Sequence, residues 1–236
     1  MSRLLGTVDP ARGLGRYALA AIVVVGPLTQ VVALLARPWT AGDDYVRDFA
    51  ARIDSYPVMG WLFLVGLCTL APAAIGVGVL VMRRAPILGM VGLALTVPGL
   101  LNPDGNPDDI IFSGTRVGLG PDVIEKMFDQ LAGLPAFGPF GFYAFVVGFS
   151  LGGVILGAGL LRGRTAPGWA AVSLIVAATA GLLGAFVNLG SAVPVVAWLL
   201  VTVAFTGCAI RIARVPNPVA AGRVAARADS DAVPPI

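Results

Sequence analysis

The stretch that decides the fold runs from Pro57 to Asn102 and reads PVMGWLFLVGLCTLAPAAIGVGVLVMRRAPILGMVGLALTVPGLLN. It contains two uncharged runs, 58–82 and 87–101, which are separated only by Arg83-Arg84-Ala85-Pro86. The first run is long enough to cross the roughly 30 Å hydrocarbon core of a bilayer as a helix. The stretch therefore predicts a membrane hairpin that has a tight basic turn.

The chain contains a second stretch built on the same plan. An apolar run at 137–161 ends at the basic turn 162–167, and residues 168–189 are apolar again. A short amphipathic segment precedes each hairpin, at 46–53 before the first and at 124–131 before the second. This pattern predicts an internal repeat whose unit is one short helix followed by two spans.

The composition indicates that a bilayer surrounds most of the chain. Hydrophobic residues make up 57% of it and charged residues 12%, and the mean hydropathy is +0.88. A soluble domain carries about 25% charged residues. We predict an all-α membrane protein in which a six-helix bundle with two short extracytoplasmic amphipathic helices forms a single transmembrane domain, residues 1–212. The predicted spans are 17–36, 58–82, 86–102, 137–161, 168–189 and 194–211, followed by a disordered cytoplasmic tail at 213–236.

The first apolar run has a second interpretation. A basic leader followed by an apolar run also describes a cleaved signal peptide. Cleavage after Ala36 would need a small residue at position −3, counting Ala36 as −1, and that position is Leu34. The run from 17 to 36 is also long enough to span. We therefore favour a retained first span.

The distribution of charge predicts the orientation. The leader, the two short turns and the tail carry eleven arginines and three acids, whereas the two long loops carry five basic residues and ten acids. Basic residues accumulate on the cytoplasmic side of membrane proteins. Both termini are therefore predicted to be cytoplasmic and both long loops to lie outside, in a bacterial cytoplasmic membrane.

Candidate functional residues are confined to the outer loops. Asp104, Asn106 and Asp108 match the first three ligand positions of a calcium loop, but Asp109 stands where glycine is needed and Thr115 where glutamate is needed. Half of a motif is a weak match, and a turn rich in proline and aspartate explains this segment better. A broader prediction is an acidic recognition surface, formed by Asp43, Asp44, Asp104, Asp108 and Asp109.

The sequence has no set of residues that indicates catalysis. It contains no histidine, and no Asp, Glu, Lys or Arg falls within a predicted span except Arg211, the last residue of the sixth span. Proton relays and ion-coupled carriers usually need such a group at mid-membrane. We predict that the protein is not an enzyme and holds no cofactor.

A resemblance can be added to this description. The hairpin that ends on Arg83-Arg84-Ala85-Pro86, and its copy that ends on LLRGRTAPGWA at residues 160–170, resemble hydrophobic actinobacterial membrane proteins of unknown function. The resemblance covers roughly residues 16–211. It implies a membrane location but no activity and no site residues.

Two functions remain in view. The first is a non-enzymatic structural, accessory or envelope role, in which the partners are the lipid bilayer and either another membrane protein or a second copy of the chain, and not nucleic acid. The alternative is a small permease, channel or transporter membrane subunit for an uncharged or apolar solute. For either function we predict that the two outer helices pack together over the mouth of the bundle, because loops on a rigid scaffold are where specificity usually lies.

Overall fold

The protein is all-helical where its structure is described. The computed structural model describes residues 10–36, 45–51, 53–100, 107–134, 144–186 and 192–214, of which 92% are helical and none is in a strand. The helices are α1 (Pro10–Ala36), α2 (Tyr45–Ala51), α3 (Tyr56–Met82), α4 (Pro86–Leu100), α5 (Pro107–Arg116), α6 (Pro121–Ala132), α7 (Ser150–Gly163), α8 (Gly168–Phe186) and α9 (Ala192–Ala213). A 3₁₀ turn, Ile53–Ser55, precedes α3, and a π-helical turn, Ala144–Phe149, leads into α7. The predicted all-α class is confirmed.

Four stretches of helix are long and apolar enough to cross a membrane. They are Leu14–Ala36, Ile53–Met82, Val146–Gly163 and Ala192–Ala213. Two further apolar stretches, Pro86–Leu100 in α4 and Gly168–Gly184 in α8, are shorter. With 15 residues, α4 is only about 22 Å long at the usual helical rise. Helices thus lie at all six predicted spans, and four of them have the length and composition that a membrane crossing needs.

The six apolar helices form a closed ring in the order α1, α3, α4, α7, α8, α9. Each of them packs against its two neighbours in that order, and α9 packs against α1. Close contacts show that successive helices up to α9 are antiparallel. The contact pairs are Gly26–Leu70 and Gly76–Val23 for α1 and α3, Gly78–Leu93 for α3 and α4, Gly99–Phe149 and Gly92–Leu156 for α4 and α7, Gly153–Ala178 and Gly157–Ile175 for α7 and α8, and Gly184–Val193 and Gly207–Ala170 for α8 and α9.

Alternating directions give the ring two different ends. The turns at 83–85 and 164–167 lie at one end, which we call the turn end, together with the start of α1 and the end of α9. Eight described arginines lie there and no described acid: Arg12, Arg16, Arg83, Arg84, Arg162, Arg164, Arg211 and Arg214. The first residues of α3 and the last residues of α4 and α8 lie at the opposite end. The arginines of the ring are therefore concentrated at the turn end.

The interior of the ring is filled in its turn-end half. One cluster of buried side chains draws on α1, α3, α7, α8 and α9 and includes Val77, Leu160, Leu174, Phe205 and Cys208. Where a bilayer supplies no hydrophobic drive between helices, such interfaces depend on close van der Waals packing and small residues. Cys208 is buried and Cys68 is exposed, and neither forms a disulfide.

The segment between α4 and α6 differs from the sequence prediction. It was predicted to be a turn, but Pro107–Arg116 forms α5, so the described chain has three short helices outside the ring and not two. Pro107 occupies the first helical position, where its missing N–H costs nothing. Asp108 and Asp109 follow in the first turn, where the helix dipole favours negative charge. These two features start a helix where the prediction placed only a turn.

Candidate functional site: the helical cap

Helices α2, α5 and α6, which we call the cap, pack against one another and against the start of α3. Their shared core contains six buried side chains: Val46, Phe49, Tyr56, Met59, Ile111 and Ile124. The Tyr56 ring stands edge-on to Phe49, with centroids 5.6 Å apart, and stacks on Phe112 at 4.6 Å. Tyr56 is the first residue of α3, so this aromatic contact anchors the cap to the ring.

Helix α2 is shorter than the sequence indicated. The amphipathic segment before the first hairpin was predicted at 46–53, but α2 ends at Ala51 and Ile53 begins the 3₁₀ turn. Val46 and Phe49 supply the buried contacts of α2. The prediction that the outer helices before each hairpin pack together agrees with the contact between α2 and α6.

The hairpin of α5 and α6 is closed by a turn with a definite geometry. The Leu119 N–H donates to the Gly114 carbonyl at 2.9 Å, and the Gly118 N–H donates to the Thr115 carbonyl at 3.1 Å. This pair of bonds is the Schellman arrangement, which needs a left-handed residue at Gly118. Gly118 has φ +83°, a value that side-chain-bearing residues rarely adopt. The turn therefore ends α5 and directs the chain into α6.

Two ion pairs connect the surface of the cap. Arg47 of α2 lies 3.8 Å from Asp122 of α6, and Arg116 of α5 lies 3.2 Å from Asp54 in the 3₁₀ turn. All four side chains are more than half exposed. Exposed pairs of this kind contribute about 0–1 kcal/mol each. The pairs therefore orient the helices, whereas the buried cluster holds them together.

The structure separates the two predicted acidic residues that it describes. Asp108 is completely buried in the first turn of α5, whereas Asp109 is exposed. Partial burial raises the pKa of the Asp109 carboxyl above its ordinary value, because desolvation disfavours the charged form. Asp43, Asp44, Asp104 and Asn106 lie outside the described residues.

The proposed calcium loop is occupied in part by helix. Asp108, its third predicted ligand, and the positions that follow up to Thr115 belong to α5. Within the described ranges, no three His, Cys, Asp or Glu side chains are grouped closely enough to hold a metal ion. Because Asp104 and Asn106 are outside these ranges, a cation site that includes them stays a prediction.

The outer surface of the cap carries apolar side chains that the sequence analysis did not identify as a surface. Val117 is 74% exposed, Val123 46%, Met127 40% and Leu134 49%. Val123 and Met127 are four residues apart and so lie on one face of α6. Ile124, one position on, is buried against α5. Helix α6 therefore has a buried apolar side at Ile124 and an exposed apolar side at Val123 and Met127.

The ring itself has few polar groups. Gln30 of α1 is buried, and its amide lies against Gly66 of α3. The Thr29 hydroxyl donates to the Gly26 carbonyl at 2.7 Å, beside Pro27. Both residues serve contacts within and between helices.

Comparison with known proteins finds no relative of this chain. The likeness to hydrophobic actinobacterial membrane proteins rests on its own residues and stays a prediction. No known protein family, curated protein or solved structure matches the chain.

Proposed function

We propose that the protein is a six-span, non-enzymatic protein of a bacterial cytoplasmic membrane, with both termini in the cytoplasm. Its cap is the surface that recognises another protein of the cell envelope, and the ring is the scaffold that holds the cap. The observation that carries the proposal is the exposed apolar surface of the cap, defined by Val117, Val123, Met127 and Leu134.

The closed ring supports six spans. Helix α4 packs along both α3 and α7, and α8 packs along both α7 and α9. If either short helix lay outside the bilayer, the neighbours that it joins would expose their glycine-rich faces to lipid. A 15-residue helix such as α4 can cross where the bilayer thins locally, at a modest energetic cost.

The charges at the two ends support the orientation. The turn end carries eight described arginines, whereas the described part of the cap and of the turn before α3 carries seven acids and three basic residues. The excess of arginine favours the cytoplasmic side for the turn end. The cap then lies outside.

The directions of the helices support an internal repeat. Both α3 and α7 run from the cap end to the turn end, and α4 and α8 return in the opposite direction. Each hairpin also follows a cap helix, α2 before α3 and α6 before α7. Two repeats whose helices run in the same direction are related by an axis near the membrane normal, as in parallel repeats.

The chemistry of the cap surface supports a protein partner. Exposed apolar side chains on a water-facing surface commonly mark an interaction site. Here they alternate along α6 with Asp122, Glu125, Lys126 and Asp129, all exposed. Mixed charge around apolar contacts is the usual anatomy of a protein interface, with an apolar centre and a polar rim. The acidic excess disfavours binding to anionic lipid headgroups.

The test replaces Val123 and Met127 together by serine in the chromosomal copy. A matched control replaces Val172 and Val176 by serine, because these residues are also exposed and four apart but lie on α8 of the ring. We expect the cap variant to reach the membrane in normal amount and to lose the growth phenotype or partner capture that the intact protein supports. Equal behaviour of the cap variant and the intact protein would contradict the proposal.

A further inference from the structure

The cap-end half of the ring contains a cavity of about 220 Å³. Its walls come from the π-helical turn and the start of α7, from the second half of α8 and from the first half of α9. Toward the turn end, the buried cluster that includes Leu160, Leu174 and Phe205 closes the interior. The cavity is therefore a blind pocket and not a continuous pore.

The cavity opens within the ring. Gly181 lies four residues after buried Ala177 and seven after buried Leu174, so it is on the inward face of α8, yet it is exposed. Pro194 lies seven residues before buried Val201, on the inward face of α9, and it is also exposed. Two inward positions that remain accessible indicate that the cavity is open and not fully enclosed.

The open space arises because small residues face small residues. Elsewhere in the ring, neighbouring side chains occupy the space beside a glycine. Ala170 and the Trp169 ring of α8 lie against Gly207 of α9, and Leu156 of α7 lies against Gly92 of α4. At Gly181, an added Cβ would meet nothing nearer than the Ser150 hydroxyl oxygen at 3.8 Å. Close packing of helices therefore does not explain glycine at position 181.

The lining defines the chemistry of a ligand. Among the described lining residues none is ionisable, and only Ser150 and Trp198 carry a polar side-chain group. Ser150 is 3% exposed. The Trp198 ring stacks on Phe149 with centroids 5.3 Å apart and forms a flat aromatic wall. A charged molecule would lose its hydration here without gaining a counter-charge.

We propose that this cavity is a binding site for a small uncharged molecule, apolar over most of its surface, with one polar group that can hydrogen-bond to Ser150 or to the Trp198 indole N–H. An apolar cavity of about 150 Å³ is large enough to bind benzene, so this cavity admits a ring or a short chain. The ligand can be a solute from outside or a hydrocarbon chain from the bilayer. The site is additional to the function proposed for the cap and does not depend on it.

The test measures how fast a thiol placed in the cavity reacts. Gly181→Cys is made in a chain that also carries Cys68→Ala and Cys208→Ala, and the protein is reconstituted in palmitoyl-oleoyl phosphatidylcholine vesicles. The control variant is Leu183→Cys, two residues further on and 52% exposed on the outer face of the same helix. The reagent is methyl methanethiosulfonate, which is small and uncharged. Cyclohexanol and cyclohexylammonium are the competitors, because they have the same ring and differ in charge.

We expect cyclohexanol, at about ten times its dissociation constant, to slow modification at position 181 roughly tenfold and to leave position 183 unchanged. Cyclohexylammonium should protect neither position. If a lipid chain fills the site, the thiol at position 181 will react slowly even before a competitor is added. Replacing the lipid by diphytanoyl phosphatidylcholine, whose chains are wider, will then restore fast reaction.

Two results would overturn the proposal. One is a rate at position 181 that neither competitor nor lipid changes relative to position 183. The other is equal protection by cyclohexanol and cyclohexylammonium. If Gly181→Cys does not fold, Ala180→Cys serves the same purpose, because Ala180 also lines the cavity.

Discussion

Gly152 of α7 packs directly against Thr96 of α4: the Thr96 backbone nitrogen lies 2.7 Å from the point that a Cβ on Gly152 would occupy. The Gly92 carbonyl oxygen lies 2.9 Å from the same point. Two backbones approach this closely only where one of them has no side chain. This contact joins the last helix of the first hairpin to the first helix of the second hairpin, so it holds the two halves of the ring together.

Gly152→Ala should therefore destabilise the ring by about 1–3 kcal/mol, because α4 and α7 must separate to admit the methyl group. Gly60→Ala is the matched control, since Gly60 is also inside a long helix but a Cβ there would meet nothing within 4 Å. We expect the control to be neutral or to gain up to about 1 kcal/mol from higher helix propensity. Thermal unfolding of both variants in the same detergent measures their loss of stability. Equal losses in the two variants would contradict a close contact between α4 and α7 at Gly152.

The stability of the cap should depend on its buried aromatic residues more than on its ion pairs. Phe49 is 1% exposed, so Phe49→Ala should cost the cap about 3–5 kcal/mol. Asp54→Asn removes an exposed ion pair, keeps the contact of Arg116 with the Phe112 ring and should cost less than about 1 kcal/mol. Amide hydrogen exchange in α5 and α6 should accelerate strongly in the first variant and little in the second. The reverse order would mean that charge holds the cap together.

Asp108 and Asp109 should respond differently to replacement, because one is buried and the other is exposed. Asp109 has a raised pKa, so its contribution to folding is greatest below its unfolded pKa and is lost as the pH rises through its folded pKa. Asp109→Asn removes the cost of a partly desolvated charge and should leave stability at pH 7 equal or higher by no more than about 0.5 kcal/mol. That difference should vanish below about pH 3, where the Asp109 carboxyl is protonated in the folded and in the unfolded chain.

Asp108→Asn should instead destabilise the cap at pH 7, because Asp108 is completely buried at the start of α5. Changing a buried polar group typically costs about 1–3 kcal/mol. Thermal unfolding between pH 3 and pH 8 separates the two variants. If both behave alike at pH 7, the burial of Asp108 does not matter to the cap. Because of this difference, a test of the acidic surface should replace Asp109 and leave Asp108 unchanged.

Much of the fold could be predicted from local sequence. Hydropathy can be read from one segment at a time, so it located the apolar helices. Pro57, Pro86 and Pro121 marked helix starts, because the first turn of a helix does not need the N–H that proline lacks. Helix α5 was missed although Pro107-Asp108-Asp109 is a good helix start, because the same aspartates also fit a turn. The order of helices in the ring could not be predicted, since it depends on which glycine faces meet across the bundle.

The candidate site was predicted less well than the fold. The sequence indicated that the cap helices lie over the bundle, but it treated Asp108 and Asp109 as equivalent. Burial distinguishes them, and burial depends on how α5 packs against α2 and α6. Similarly, the cavity at Gly181 arises from small residues on two helices that come together only in the folded ring. Neither feature has a signal in any single stretch of the chain.

The orientation of the ring is the central claim, and cysteine labelling tests it most directly. In a chain with Cys68→Ala and Cys208→Ala, Ser113→Cys places a thiol on the exposed surface of α5, and Gly168→Cys places one at the exposed turn end, where a Cβ meets nothing within 4 Å. We predict that a membrane-impermeant maleimide labels position 113 in whole cells and labels position 168 only after the cells are opened. Labelling of position 168 in whole cells, with position 113 protected, would contradict the account.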